Sequence, residues 1–284
     1  MKNNSISPKD IGRLNEIAVS FKYQFKSYLR TKRFLALAIL IALISIAVFA
    51  VELYVGKSAI VAEYSGASNF LYSFMQNLTF TVVIVAAFFG GNAISTDFSS
   101  NYSYYMLVQS VRRSSLLLGR YLSAFTASFI IVLIYYLFGA ISSLYFFSSI
   151  PAVFASSIAL VILFILAVLS FAFFLSSLFN NPQTSTVAVV ILLIIVLPII
   201  SNILQGLLAV QPWFLINYGG EVVYNIFSTH FVHFSKTQIP TKSGNFTITQ
   251  YQPYTFEGIY IMFGYMVIFF IASILMYNYK EVKG

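Results

Sequence analysis

A short polar segment between two long apolar runs holds the residue types best suited to recognition. It spans residues 93–115, has one acidic side chain and two basic ones, and is aromatic and apolar in its middle. Such side chains can sit among lipid headgroups and still offer contacts to another protein. We therefore expect the segment to lie at a membrane surface and to contact a soluble partner through Asp97, Tyr104, Tyr105, Arg112 and Arg113. The two arginines could instead serve only to set the topology and to bind lipid phosphate.

One part of the sequence partly matches a phosphate-binding loop. Gly56, Lys57 and Ser58 match its end, but Val51 stands where the loop requires glycine, and the segment follows a predicted membrane helix rather than a strand. We expect no nucleotide site and no enzymatic activity in this chain. Any ATP and Mg²⁺ would be bound by a separate subunit.

Two histidines, His230 and His233, would share one face of a helix because they are three residues apart. The nearest acidic residue upstream is Glu221, and no third ligand lies within a few positions. A metal site needs three or four ligands, so we expect neither a metal nor another cofactor here.

Asn245 begins the sequence Asn-Phe-Thr, which is an acceptor site for N-glycosylation. Two further matches, at Asn77 and Asn101, fall where the predicted topology makes them inaccessible. Only Asn245 could be modified, and only in a host that glycosylates.

The composition is that of a membrane protein. Of 284 residues, 59% are hydrophobic and 8% charged, far below the share of about 25% charged residues in soluble proteins. There are no cysteines, which excludes disulfides and thiolate chemistry. The net charge of +8 is therefore interpreted through membrane topology, and no nucleic acid is expected as a partner.

Six apolar runs are long enough to cross a bilayer as helices, at about 20 residues each. We predict an all-α polytopic fold, with a kink at Pro198 because proline removes a helix hydrogen bond. The predicted spans are residues 34–55, 70–91, 116–147, 151–180, 186–208 and 257–278.

An amphipathic helix is predicted before the first span, in a segment covering residues 1–33. Ser7 and Pro8 form a helix start, and apolar residues then recur at helical spacing among basic ones. Such a helix is expected to lie along the inner membrane surface, where it could serve simply as an anchor. Residues 34–284 would form the six-span domain.

Lysine and arginine counts predict the orientation. With both termini in the cytoplasm, thirteen of these residues lie on the cytoplasmic side and three outside. This orientation places residues 93–115 in the cytoplasm and residues 209–256 in a long external loop. The expected location of the protein is the cell membrane. Whether residues 208–235 form a re-entrant or an interfacial helix stays open.

Polar but uncharged residues in the second span are the candidates to line a pathway. Ionisable residues are absent from the middle of every predicted span, which argues against proton pumps and ion exchangers. An amphipathic or lipid-like substrate fits better, although such polar residues can also simply link helices. The candidates are Gln76, Asn77, Thr79 and Thr81.

The polar segment resembles the cytoplasmic stretch after the second helix of ABC transporter type-2 permeases. In that family an acidic residue precedes Gly-Thr, Leu-Leu, Pro, basic residues and Gly-Lys. Here Asn101-Tyr102 replaces Gly-Thr and Ser110 replaces Pro. The positions that match are Asp97, Met106-Leu107, Arg112-Arg113 and Gly119-Arg120. The resemblance implies a permease that pairs with a second copy or a similar subunit, binds an ABC ATPase and exports its substrate. It also implies that the amphipathic helix of residues 1–33 is the sliding elbow helix found before the first span in this family.

Two other functions remain open. The chain could be a non-transporting sensor or assembly scaffold that recruits a cytoplasmic partner. It could also be an intramembrane enzyme acting on lipid, although its two histidines lie in the loop placed outside, without an evident catalytic constellation.

Overall fold

The computed structural model of the chain describes residues 12–98, 112–241 and 244–280. Six of its helices are long and apolar enough to cross a membrane, so the chain is a multi-pass, predominantly helical membrane protein. We call them spans one to six in chain order: Lys32–Val55, Ala67–Phe98, Arg113–Phe147, Val153–Leu178, Pro182–Gly206 and Thr255–Tyr279.

Four shorter helices complete the helical part. They are α1 (Arg13–Arg30) before span one, α2 (Lys57–Tyr64) after it, and α3 (Ile216–Gly220) and α4 (Val222–Asn225) between spans five and six. Two of the spans are interrupted. Span two consists of Ala67–Met75, Leu78–Gly90 and Ser95–Phe98, and span five of Pro182–Ile191, a π-helical turn Leu192–Val196 and Leu197–Gly206.

The observed spans agree with the predicted ones to within four residues at each end, except that span two continues to Phe98, seven residues beyond its predicted end. Span five begins at Pro182, four residues earlier than predicted, because Asn181 caps it: its Oδ1 accepts a hydrogen bond of 2.9 Å from the amide of Gln183. A π-helical turn, Leu192–Val196, ends two residues before Pro198. The kink predicted at Pro198 itself stays a prediction.

Span four lies at the centre of the bundle, and most of its residues are buried. Small residues let its neighbours approach closely: a Cβ on Gly90 of span two would lie 2.8 Å from Cβ of Ala172. The hydroxyl of Ser176 also accepts hydrogen bonds from the amides of Ile94 and Ser95, at 3.1 and 3.0 Å. Spans one, five and six are much less buried than spans two and four, and they leave apolar side chains at the surface of the monomer.

Helix α1 packs against the first turns of span three. Ser20 donates to the carbonyl of Leu116 at 3.1 Å, and Ser123 donates to that of Phe21 at 2.9 Å. On the other side, apolar Leu14 remains 81% exposed. The helix start predicted at Ser7 and Pro8 lies outside the described residues.

The connection between spans five and six contains a β-hairpin that the all-helical prediction lacked. Strand β1 (Phe234–Thr241) pairs antiparallel with β2 (Gly244–Tyr251), with Asn245 opposite Pro240. Helices α3 and α4 occupy the segment whose form the sequence left open, and neither is long enough to span a membrane. We call the side of the bundle with this hairpin the hairpin end, and the side with Asp97, Arg120 and Lys280 the arginine end.

Candidate functional site

A cavity of about 770 Å³ lies towards the hairpin end, bounded by span two, span five, α3, α4 and the last residues of β2. Its volume is typical of small-molecule sites, which measure about 300–1,000 Å³. Its lining mixes amide, hydroxyl and aromatic side chains with a single carboxylate.

Span two contributes Gln76 and Thr79 to the lining. The helix is interrupted between Met75 and Leu78, so Gln76 lies in an exposed turn at this break. The Thr79 hydroxyl is buried and has no hydrogen-bond partner among the described residues. A buried polar atom in this state favours a ligand or water that completes it.

The other two polar residues predicted to line a pathway lie outside this cavity. Thr81 is buried within the bundle, and its hydroxyl donates to the carbonyl of Asn77 at 3.1 Å. Asn77 is exposed in the turn but is not part of the lining. Of the four predicted residues, Gln76 and Thr79 therefore line the cavity, and Asn77 and Thr81 do not.

Span five supplies the opposite wall and is held in place by two amide side chains. Asn217 of α3 donates to the carbonyl of Leu193 in the π-helical turn at 3.2 Å. The side-chain oxygen of Gln205 accepts a hydrogen bond of 2.8 Å from the amide of Tyr251, and the backbone carbonyl of Gln205 accepts one from the hydroxyl of Thr249. Gln205 therefore attaches span five to β2. Because these residues line the cavity, its shape depends on the attachment of the hairpin.

Glu221 is the carboxylate of the cavity, and a pair of glycines places it there. A Cβ on Gly220 would lie 2.5 Å from the ring of Phe164, and one on Gly219 would lie 2.9 Å from Ile261. Only glycine allows α3 to pack this closely on spans four and six. Burial raises the pKa of Glu221 to about 8 because it disfavours the charged form.

A second polar cluster, which we call the ion-pair cluster, lies at the arginine end. The guanidinium of Arg120 pairs with the carboxylate of Asp97, and its Nη1 also donates to the carbonyl of Ala93 at 3.0 Å. The hydroxyl of Tyr277 donates to the same carboxylate at 2.7 Å. Asp97 and Arg120 are both buried. The cluster joins the ends of spans two, three and six.

Two further cations satisfy backbone carbonyls at the arginine end. Arg113 donates to the carbonyls of Asn278 and Lys280, at 3.2 and 3.3 Å, and lies 3.5 Å from that of Tyr277. The ammonium of Lys280 donates to the carbonyls of Ser177 and Phe179, at 2.8 and 2.7 Å. Cations at helix C-termini satisfy the free carbonyls and interact favourably with the helix dipole. The end of span six is therefore held by both spans three and four.

The residues predicted to contact a partner have different surroundings. Asp97 is buried in the ion-pair cluster, Arg113 is half-buried against span six, and Arg112 is exposed at the start of span three. Tyr104 and Tyr105 lie outside the described residues, and of Asn245 the structure describes only its backbone in β2. Asp97 and Arg113 both contact Tyr277, the former through its hydroxyl and the latter through its carbonyl.

Within the described ranges no cluster of three or more potential metal ligands occurs. His230 is exposed, whereas His233 lies 2.7 Å from the carbonyl of Gln252 and stacks on Tyr254 with ring centroids 4.3 Å apart.

Sequence reasoning missed the cavity residues outside span two and the partners of Asp97. Glu221 appeared only as the acidic residue nearest the histidines, although a glycine pair beside a lone carboxylate could have marked it. The pairing of Asp97 with Arg120 and Tyr277 spans 23 and 180 residues of sequence, so no local pattern could reveal it. Comparison with models of known protein families finds no match, and comparison with curated proteins finds no similar sequence.

Proposed function

We propose that this chain is the membrane-spanning permease subunit of an ATP-driven exporter of the ABC type-2 kind. A separate ATPase subunit binds ATP and Mg²⁺ and supplies the energy. The permease lies in the cell membrane with both termini in the cytoplasm and pairs with a second copy or a related subunit. Residues 93–115 and the arginine end then face the ATPase, and the cavity lies on the outward side.

The main support is the attachment of the polar segment to span six. Asp97 before residues 99–111 and Arg113 after them both contact the last turn of span six. A force applied to this segment by a partner reaches the sixth span through two short polar contacts. Such a connection between a surface segment and a membrane helix is what a permease driven from outside its own chain requires.

The surface of spans one and five also supports a paired permease. These spans expose apolar side chains in the monomer, including Leu35 and Ile39 of span one and Ile195 and Ile199 of span five. Such surfaces are suited to lipid and to a second subunit. Span five also forms a wall of the cavity, so a partner against this span would lie beside the transport route.

Orientation can be tested by labelling, because the natural chain has no cysteine. Asn180 is exposed at the arginine end and His230 at the hairpin end. We expect a membrane-impermeant maleimide added to intact cells to label His230→Cys and not Asn180→Cys. Labelling of Asn180→Cys from outside would contradict the proposed orientation.

Coupling is tested by co-reconstituting the chain with the ABC ATPase specified by a neighbouring coding region and measuring ATP turnover. We expect the permease to stimulate turnover, and Arg113→Gln to reduce the stimulation at least about fivefold by releasing span six. The matched control is Lys57→Gln, an exposed cation near the hairpin end, which should have no effect.

Stable binding of that ATPase without stimulation would instead support a sensor or scaffold. Absence of binding and of stimulation would refute the permease proposal.

A further inference from the structure

The charge of the cavity indicates what it binds. Among its lining residues Glu221 is the single Asp, Glu, Lys, Arg or His. Within the described residues the one ion pair joins Arg120 to Asp97 at the other end of the bundle, so Glu221 has no cationic partner there. A carboxylate taken out of water without a partner is unfavourable unless a cation or a proton neutralises it.

Aromatic side chains line the same cavity as this carboxylate. Tyr224 lies three residues after Glu221, and its ring centroid is 5.7 Å from that of Tyr72. Tyr251 and Phe80 complete the aromatic part of the lining. Aromatic faces attract ammonium and other organic cations, most strongly where water is excluded.

Two buried acceptors point to a ligand that also carries hydrogen-bond donors. Thr79 and Asn217 both line the cavity. The hydroxyl oxygen of Thr79 and Oδ1 of Asn217 are buried and have no partner among the described residues. An amide oxygen can only accept a hydrogen bond. A bound N–H group would satisfy it.

We propose that this cavity binds an amphipathic organic cation, with its positive nitrogen near Glu221, its apolar part against the tyrosines and its N–H donors on Asn217 and Thr79. An anionic or purely apolar molecule would leave the carboxylate without a partner. The binding site stands on its own; the identification of such a cation as the transported substrate rests on the proposed function.

The test uses the purified full chain in nanodiscs of phosphatidylcholine, without any ATPase, and the fluorescent cation ethidium as the probe. Ethidium has a fixed positive charge, aromatic rings and amino groups. At about pH 9, where Glu221 is mostly ionised, we expect saturable binding that Glu221→Gln weakens at least about tenfold, since a hydrogen bond to a charged group is worth more than one to a neutral group. Replacing carboxylate by amide keeps the shape of the side chain.

The matched control is Glu63→Gln, which removes one negative charge from an exposed position on α2, outside the cavity. It should bind ethidium as the natural chain does. Thermal unfolding of Glu221→Gln should show no loss of stability, which separates lost binding from lost fold. A second variant, Asn217→Leu, should weaken ethidium more than it weakens tetraphenylphosphonium, a cation without N–H donors.

Equal affinity of the natural chain and Glu221→Gln for ethidium would overturn the proposal, as would stronger binding of an anionic dye such as fluorescein. If phosphatidylethanolamine added to the nanodiscs competes with ethidium, the natural ligand is an amine headgroup. If phosphatidylethanolamine does not compete but a soluble amine does, the natural ligand is a free amine. Both support the cation site. Binding that persists without any ATP-dependent transport would refute the permease role and leave the site intact.

Discussion

The ion-pair cluster at the arginine end should dominate the stability of that end of the bundle. Asp97 and Arg120 are 7% and 6% exposed, so removal of either one leaves the other buried without its partner charge. Such a loss typically lowers the free energy of unfolding by about 3–5 kcal/mol. We expect Asp97→Asn and Arg120→Met to fall in this range.

The two single variants should differ in a defined direction. A guanidinium cannot lose its proton, whereas a carboxyl group can gain one and become neutral. Asp97→Asn therefore leaves a permanent buried charge, while in Arg120→Met the carboxyl can be neutralised and still interact with the hydroxyl of Tyr277. We expect Asp97→Asn to be the more destabilising change.

The double variant measures the interaction itself. With both charges removed, no unpaired charge remains, so its loss of stability should be at least about 2 kcal/mol smaller than the sum of the single losses. Reversible unfolding in mixed micelles at neutral pH gives these values. Arg112→Met, at an exposed neighbouring arginine, serves as control and should change stability by no more than about 0.5 kcal/mol. Additive effects, or a loss below about 1 kcal/mol for Asp97→Asn, would refute the reasoning.

Two further outcomes are expected. Gly119→Leu should detach α1 from span three, because a Cβ there would lie 2.5 Å from Cβ of Ser20 and 2.9 Å from the carbonyl of Ile17. Faster tryptic cleavage within α1 would show this detachment. The control is Gly264→Leu, at a position with open space around it. Ethidium affinity should rise between pH 6.5 and 9, because Glu221 has its pKa raised to about 8 and binds a cation only when ionised. The other titratable side chains of the cavity are Tyr72, Tyr224 and Tyr251. A flat pH profile would contradict the role of Glu221.

The spans could be predicted from the sequence because their signal is local. A run of apolar residues long enough to cross a bilayer has no alternative that satisfies its backbone in lipid. The sequence indicated the break at Gln76 only through polar residues, and the π-helical turn only through the nearby Pro198. Their consequences for the helix depend on packing against neighbouring elements.

The hairpin was missed although the sequence carried a signal for it. Residues 245–249 alternate polar and apolar side chains, with Phe246 and Ile248 beside threonines, which favour strands. The proline and glycine residues of the connection drew attention to irregular structure instead. Apart from Gln76 and Thr79, the residues of the cavity could not be predicted, because Glu221 and Gln205 join them only after the hairpin and α3 fold back on the spans.

The π-helical turn Leu192–Val196 has a consequence for the geometry of span five. The amide of Leu197 bonds to the carbonyl of Leu192, one residue further back than in an α-helix. The turn thus holds one surplus residue, and each residue of an α-helix advances by about 100° around the axis. Deleting one residue there would swivel Ser201 and Gln205 by roughly a quarter turn while keeping the span long enough to cross. The surplus residue thereby sets which side of this helix faces the cavity.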